Sequence, residues 1–257
     1  MNRIFSCAFL CALIFAGCKK ENAKPAEAGK VRIAQTTGNN MTITLWADND
    51  AFITGYNKFY VSVNANEGGE IKNAKVRFTP VMDMGTMKHS SPVEQPAYNT
   101  LNKLYEGAVI FTMPTSEMGS WQLKVAVNDF EEIFPVTIGN SVKKQVVTFK
   151  GNDDIKYVLC LVPPVKWQVG LNDLQLLLHR QASANEFPPV DGLVIECTPE
   201  MPSMGHGSPN NINPVSTGNG HYTGKVNFTM TGEWRLHFAI KKEGSVIKDD
   251  TFLDVLF

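Results

Sequence analysis

Two short segments of the chain carry the same soft metal-binding side chains at the same spacing. Thioether sulfur is a soft, uncharged ligand and imidazole is borderline, so two Met and one His prefer Cu(I) to Zn²⁺, Ca²⁺ or Mg²⁺. Neither a strand nor a helix would bring all three side chains of this spacing together, and we therefore expect an irregular loop in each segment. We predict a Cu(I) site in each. The two donor sets are Met84, Met87 and His89, and Met201, Met204 and His206.

Two other interpretations of these segments stay open. A Met-rich turn can fill the open end of a sandwich, because Met is a flexible core filler, and it can also line a contact with another protein. The second His, which a filler does not require, favours the metal hypothesis. Met113 and Met230 end alternating strands and are predicted to be core residues, with a third thioether ligand as the alternative. Met82 and Met118 have no counterpart in the repeat and are treated as incidental.

The two segments belong to a longer internal repeat. Short alternating runs, rich in β-branched and aromatic residues and separated by Gly and Asn clusters, predict antiparallel strands with one buried face. We therefore predict an all-β fold of two tandem immunoglobulin-like β-sandwich domains, at residues 31–141 and 142–257. Trp121 and Trp234 are predicted to anchor the cores. The repeat pairs Gly55-Tyr56-Asn57 with Gly170-Leu171-Asn172, Tyr105-Glu106-Gly107 with Tyr222-Thr223-Gly224, and Trp121-Gln122-Leu123 with Trp234-Arg235-Leu236.

The N-terminus predicts export. Arg3 precedes an apolar run, and small residues lead to Cys18. This pattern resembles a bacterial lipoprotein signal, which implies that residues 1–17 are removed and that Cys18 is acylated. Residues 18–30 are charged or small and are predicted to form a flexible tether. We expect a protein of the bacterial cell envelope, anchored to the membrane by lipid on its periplasmic or surface face.

The remaining Cys and His residues give weaker signals. Cys160 and Cys197 fall at expected core positions, and in an oxidising compartment they either pair as a disulfide or stay as buried free thiols. His179, His221 and His237 lack repeat counterparts and are predicted to lie on solvated strand faces or turns.

Composition and motifs exclude several classes of function. The formal net charge is −1 and there is no block of Lys or Arg, so no surface for nucleic acid is indicated. The sequence contains no phosphate loop, no HExxH and no nucleophile elbow. We therefore predict that the protein is not an enzyme.

A resemblance to a known family adds to this interpretation. The segment from Pro199 to Gly207, with 222–234, resembles the YtkA-like domain family over most of residues 150–245, and a weaker version covers 38–128. The resemblance implies small immunoglobulin-like envelope modules, often lipoproteins, in a setting associated with copper handling and metal efflux. The first copy departs from the pattern in its turn, where Lys88 stands in place of Gly205, but it keeps the ligand types.

The leading hypothesis is a non-enzymatic envelope lipoprotein that binds copper, as Cu(I), or a similar soft metal, in buffering or efflux. Its partners would be the membrane and a metal-efflux or other envelope protein. The alternative is a metal-free envelope module that docks a membrane or efflux protein. Titration with Cu(I) separates the two hypotheses.

Overall fold

The chain folds into β-strands alone wherever the structure describes it. The computed structural model describes residue 27 and residues 29–164 and 166–257. Across these ranges there is no helix, and so none that is long and apolar enough to cross a membrane. The signal peptide, Cys18 and most of the tether predicted from the sequence lie outside them.

The first half forms one sandwich. Its five-stranded sheet has the order β1-β2-β4-β8-β7 and its four-stranded sheet has the order β10-β9-β5-β6, while β3 and β11 pair in parallel at one end. The strands are β1 Val31–Gly38, β2 Met41–Ala47, β3 Phe52–Ile53, β4 Gly55–Ala65, β5 Val76–Asp83, β6 Lys88–His89, β7 Val93–Asn99, β8 Leu104–Phe111, β9 Ser120–Val127, β10 Phe130–Val136 and β11 Ile138–Gly139.

The second half repeats this arrangement. A five-stranded sheet of order β12-β13-β14-β18-β17 faces a four-stranded sheet of order β16-β15-β19-β20. The strands are β12 Val146–Lys150, β13 Lys156–Val162, β14 Gly170–Arg180, β15 Val194–Met201, β16 His206–Gly207, β17 Ile212–Gly218, β18 His221–Phe228, β19 Glu233–Lys242 and β20 Ser245–Leu256. The predicted all-β fold of two tandem sandwiches is confirmed.

Each sandwich has its own apolar core. Alternate residues of β9 and β19 are buried, as period-two patterning requires when one sheet face meets the core. Trp121 is fully buried and meets Phe111 edge to face with ring centroids 5.0 Å apart, and Trp234 lies 5.3 Å from Phe228. The prediction that both Trp side chains anchor the cores is confirmed.

A third, smaller apolar cluster joins the two sandwiches, and we refer to it as the junction. Ile110 of the first domain packs there with Val158, Cys160 and Leu177 of the second. Because β13 is covered by its own core on one face and by the first domain on the other, five successive residues of this strand are buried. His179 is only 3% exposed, so the prediction that it lies on a solvated face is wrong.

Candidate metal centres

Both Met/His segments are β-hairpins in which the His returns opposite a Met. In the first hairpin, residues 82–89, Met82 on β5 pairs with His89 on β6. In the second hairpin, residues 201–206, Met201 on β15 pairs with His206 on β16. The turn between the paired residues is two residues longer in the first hairpin than in the second.

This difference in length changes which methionines correspond. Met82 also pairs with Trp121 on β9, and the register of β15 with β19 brings Met201 opposite Trp234. Met82 and Met201 are both buried. Met82, which the sequence comparison treats as incidental, is therefore the structural counterpart of Met201, and Met84 belongs to the turn. Aligning the two segments at a constant sequence offset matches Met84 with Met201 instead, because the two additional residues of the first hairpin fall between Met82 and His89.

The imidazoles of the two hairpins are held in the same way. His89 Nδ1 lies 2.9 Å from the carbonyl oxygen of Ser90, and His206 Nδ1 lies 3.0 Å from that of Gly207. A carbonyl oxygen only accepts hydrogen bonds, so Nδ1 carries the proton in both rings. In the neutral ring the lone pair is then on Nε2, where it can bind a metal. In metal-binding His residues the other ring nitrogen typically donates to a carbonyl or carboxylate in this way.

Each imidazole also packs on the core Trp of its domain. The ring centroids of His89 and Trp121 are 5.6 Å apart, and those of His206 and Trp234 are 5.8 Å apart, both in edge-to-face geometry. The indole nitrogen of each Trp donates a 3.0 Å hydrogen bond to a backbone carbonyl, which fixes the ring. The acceptors are the carbonyls of Met113 and Met230.

The remaining methionines of the hairpins lie toward solvent. Met87 is 57% exposed and Met204 is 59% exposed, whereas Met84 is half-buried against the first core. Met113 packs on the same core, as predicted, but Met230 is 36% exposed, so its prediction as a core residue is wrong. Each hairpin thus combines one buried thioether, one fixed imidazole and at least one solvent-facing thioether.

The turns that carry these side chains follow from local sequence. Gly85 and Gly205 adopt positive φ angles of 77° and 62°, a region that suits Gly. In the first turn the Met84 N–H donates to the carbonyl of Met87 at 3.0 Å. In the second, the N–H groups of Met204 and Gly205 both donate to the carbonyl of Met201. No group of three or more His, Cys, Asp or Glu that could hold a metal occurs among the described residues.

The other Cys and His residues lie outside the two hairpins. Cys160 belongs to the junction and Cys197 to the second core, and both are buried free thiols, the second of the two alternatives. Burial raises the pKa of Cys197 to about 12. His221 bonds to Glu94 of the first domain across the junction, and half-buried His237 lies between two carboxylates on the second sheet.

Several solved structures are similar to the chain at low sequence identity. The solved structures similar to the chain include a conserved domain protein from Bacillus anthracis, with 13% identity and a TM-score of 0.33, covering 91% of this chain and 92% of that one. They also include domains 5–6 of the S-layer protein SbsC, with 15% identity, a TM-score of 0.28, and 87% and 98% coverage. The Escherichia coli adhesin FdeC has 14% identity and a TM-score of 0.28, and the match covers 87% of this chain and 66% of the adhesin chain.

No curated protein sequence matches the chain. The family model that does match is described as YtkA-like, and it covers residues 140–239. This range contains the whole second hairpin and the Trp234 on which its imidazole packs. Residues 140–239, which form most of the second sandwich, therefore match the YtkA-like family, as the motif predicts.

Proposed function

We propose that the protein binds Cu(I), or a similar soft metal ion, at both hairpins and buffers or passes on that metal at the bacterial envelope, without catalysis. One observation carries the proposal. In both domains an imidazole whose Nδ1 is bonded to a backbone carbonyl stands opposite a buried Met and next to a turn with a solvent-facing Met. A core filler needs only the buried Met.

The donors are distributed between core and solvent. In the second hairpin we assign Met201, Met204 and His206 as the residues that would hold the metal. In the first hairpin we assign the predicted Met84, Met87 and His89, and we add Met82 because it pairs with the His. Thioethers need no deprotonation, so only the imidazole must be neutral for binding.

Placement at the envelope is part of the proposal. Acylation of Cys18 would hold the sandwiches at a membrane, since two or more acyl chains give stable anchoring. The charged residues 18–30 would then let both hairpins reach an efflux protein or another membrane partner. The lipid anchor can be tested by labelling cells with a fatty acid analogue, which should mark the chain but not its Cys18→Ser variant.

An anaerobic titration tests the metal proposal. A chromogenic Cu(I) chelator competes with the full chain, and we expect two bound Cu(I) ions, with one lost in a Met204→Leu/His206→Ala variant. Met118→Leu is the matched control, because this exposed Met lies outside both hairpins and leucine has a similar volume. If the folded chain does not compete with the chelator, the proposal is wrong.

The single substitution His206→Ala separates the metal hypothesis from the filler hypothesis. His206 is half-exposed, and within the described residues its ring bonds to the adjacent carbonyl and packs on Trp234, so we expect His206→Ala to change the melting temperature of the metal-free chain little. A large drop without metal would favour a structural plug. A folded chain that binds no Cu(I) would favour the alternative, an envelope interaction module, which the exposure of Met87 and Met204 also suits.

A further inference from the structure

The two hairpins, alike in their donors, are supported by different parts of the molecule. We propose that the first hairpin is a two-domain site, in which the second domain positions His89 through residues 90–94, whereas the second hairpin is positioned by its own domain. This inference rests on the proposed function in treating the first hairpin as a site. Its structural part, the positioning of His89, can be tested without metal.

Ser90, the residue that accepts the hydrogen bond of His89, contacts both domains. The carbonyl of Ser90 accepts from His89 Nδ1, and the N–H of the same Ser90 donates to the carbonyl of Ala184 in the second domain at 2.8 Å. The Ser90 hydroxyl donates to the carbonyl of Pro80 at 2.7 Å, and the residue is buried. The residue whose carbonyl accepts the imidazole proton is thus bonded to the second domain through its N–H and to the first domain through its hydroxyl.

The residues that follow Ser90 also bond along the junction. The buried Ser91 hydroxyl donates to the carbonyl of Ile110, whose side chain packs in the junction. Glu94 Oε1 lies 2.6 Å from Nε2 of His221 in the second domain. Its other carboxylate oxygen accepts a 2.8 Å bond from the Tyr56 hydroxyl, so both oxygens of Glu94 are engaged. Residues 90–94 therefore lie along the junction from the Ser90 bond to the contact of Glu94 with His221.

The second hairpin shows no such bonds to the first domain within the described ranges, and it therefore serves as an internal control. The segment after His206 is held by side chains of its own domain. Asn211 donates to the carbonyl of Ser208 and accepts from the N–H of Asn227 at 2.9 Å. Asn227 in turn donates to the carbonyl of Pro209 at 3.0 Å. Opening the junction should therefore leave the second hairpin intact.

The consequence for binding follows from the role of the imidazole acceptor. Groups that orient a metal-binding His typically change metal affinity by about 10- to 100-fold when removed. Glu94 and His221 act on His89 only through residues 90–93, so they are positioning residues. Without them we expect the first hairpin to lose affinity and the second to keep it.

The test begins with a direct readout of the junction. In the full chain with Cys7, Cys11 and Cys18 replaced by Ser, Cys160 reports the junction and Cys197 reports the second core. Glu94→Ala and, as a stronger variant, Ile110→Asp should speed the reaction of Cys160 with a thiol reagent. The reaction of Cys197 should stay slow. This pattern shows an open junction between folded domains. His221→Gln, which keeps a donor for Glu94, should restore protection where His221→Ala does not.

Metal affinity is then measured one site at a time. With the second site removed by Met204→Leu/His206→Ala, opening the junction should weaken Cu(I) binding at the first hairpin by about tenfold or more. With the first site removed by Met87→Leu/His89→Ala, the same substitutions should change the affinity of the second by less than about twofold, within the usual scatter of independent sites. An open junction with unchanged affinity at the first hairpin would overturn the proposal.

A metal-free measurement keeps this inference separate from the proposed function. The ring nitrogens of His89 report by NMR whether Nδ1 carries the proton and is hydrogen bonded. We expect Glu94→Ala and Ile110→Asp to disturb this signature for His89 and not for His206. If the chain binds no Cu(I) but the signature changes as expected, the proposed function fails while the positioning of His89 by the second domain stands. If the signature of His89 is unchanged in an open junction, the positioning fails.

Discussion

The outer faces of the two five-stranded sheets differ, although their strands have the same order. Strands β4 and β14 both begin with Gly and have 11 residues, so Ser62 and Leu177 occupy the same position. In the first sheet Ser62 pairs with Thr44, and in the second Leu177 pairs with Cys160. The first pair is polar and the second is apolar.

The neighbouring positions continue this difference. Thr42 and Asn64 form the next pair on the first face, and Val158 and His179 form the corresponding pair on the second. On the first face the indole of Trp46 donates a 3.0 Å hydrogen bond to the Ser62 hydroxyl, so the domain satisfies this group with its own side chain. The second face is instead covered by the first domain. The two copies thus differ at a few positions on one sheet face, and it is the apolar face of the second copy that packs against the first domain.

The largest effect is expected when the second face is made like the first. Leu177→Ser removes a fully buried side chain from the junction, and we expect the free energy of unfolding of the second domain to fall by about 3 kcal/mol, as for other large-to-small core substitutions. Urea denaturation followed by circular dichroism measures the loss. The control, Ser62→Ala on the first face, removes one hydrogen bond and should cost about 1 kcal/mol. Equal losses in the two variants would contradict the comparison.

The second prediction concerns pH and His179. Burial, with a smaller effect of the nearby His221, lowers the pKa of His179 from 6.5 to about 4, while Glu94 and Asp191 act in the opposite direction. The unfolded chain therefore binds a proton at a higher pH than the folded chain does. Stability should fall as the pH drops from 6.5 to 4, by up to about 3 kcal/mol, because each unit of pKa shift is about 1.4 kcal/mol.

Urea denaturation at a series of pH values measures this effect. The matched variant is His179→Asn, which places on the second face the residue that Asn64 supplies on the first. We expect the variant to lose most of the dependence on pH between 6.5 and 4. Acid should also speed the reaction of Cys160 with a thiol reagent before that of Cys197, because His179 shares a face of β14 with the junction residue Leu177, whereas Cys197 belongs to the second core. An unchanged pH profile in His179→Asn would contradict this assignment.

Much of the fold could be predicted from the sequence, because alternating burial and a duplicated pattern are local signals. The junction could not. Val158, Cys160 and Leu177 are apolar residues in strands that also contribute to a core, and one sequence does not tell whether the second apolar face meets a sheet of its own domain or another domain. The burial of His179 is likewise not evident from the sequence. It lies near the end of a strand beside three leucines, and in the structure it is 3% exposed, pairs with Pro189 of its own domain and lies near Glu94 of the first domain.

The candidate site shows a different limit. The residue types and the turn glycines were evident from the sequence, but the pairing of Met82 with His89 was not, because it depends on the length of the turn. The methionines of the two hairpins can be aligned in two ways. Alignment from the His matches Met84 with Met201, whereas the strand register at Trp121 matches Met82 with Met201. Counting outward from the Trp-paired position, rather than from the His, would have related Met82 to Met201.

The smallest effect is expected from the reverse substitution, Asn64→His on the first face. Asn64 is half-buried, so the new imidazole keeps contact with water and should titrate near 6.5 in both folded and unfolded chains. The free energy of unfolding should then change by less than about 0.5 kcal/mol, as for most surface substitutions, and should gain no dependence on pH. NMR titration of the ring and urea denaturation at pH 7 and 4 measure both quantities. This variant places the same residue type at the same strand position in both copies of the fold. A lowered pKa at position 64 would therefore show that strand position, and not contact with a neighbouring domain, sets the pKa of His179.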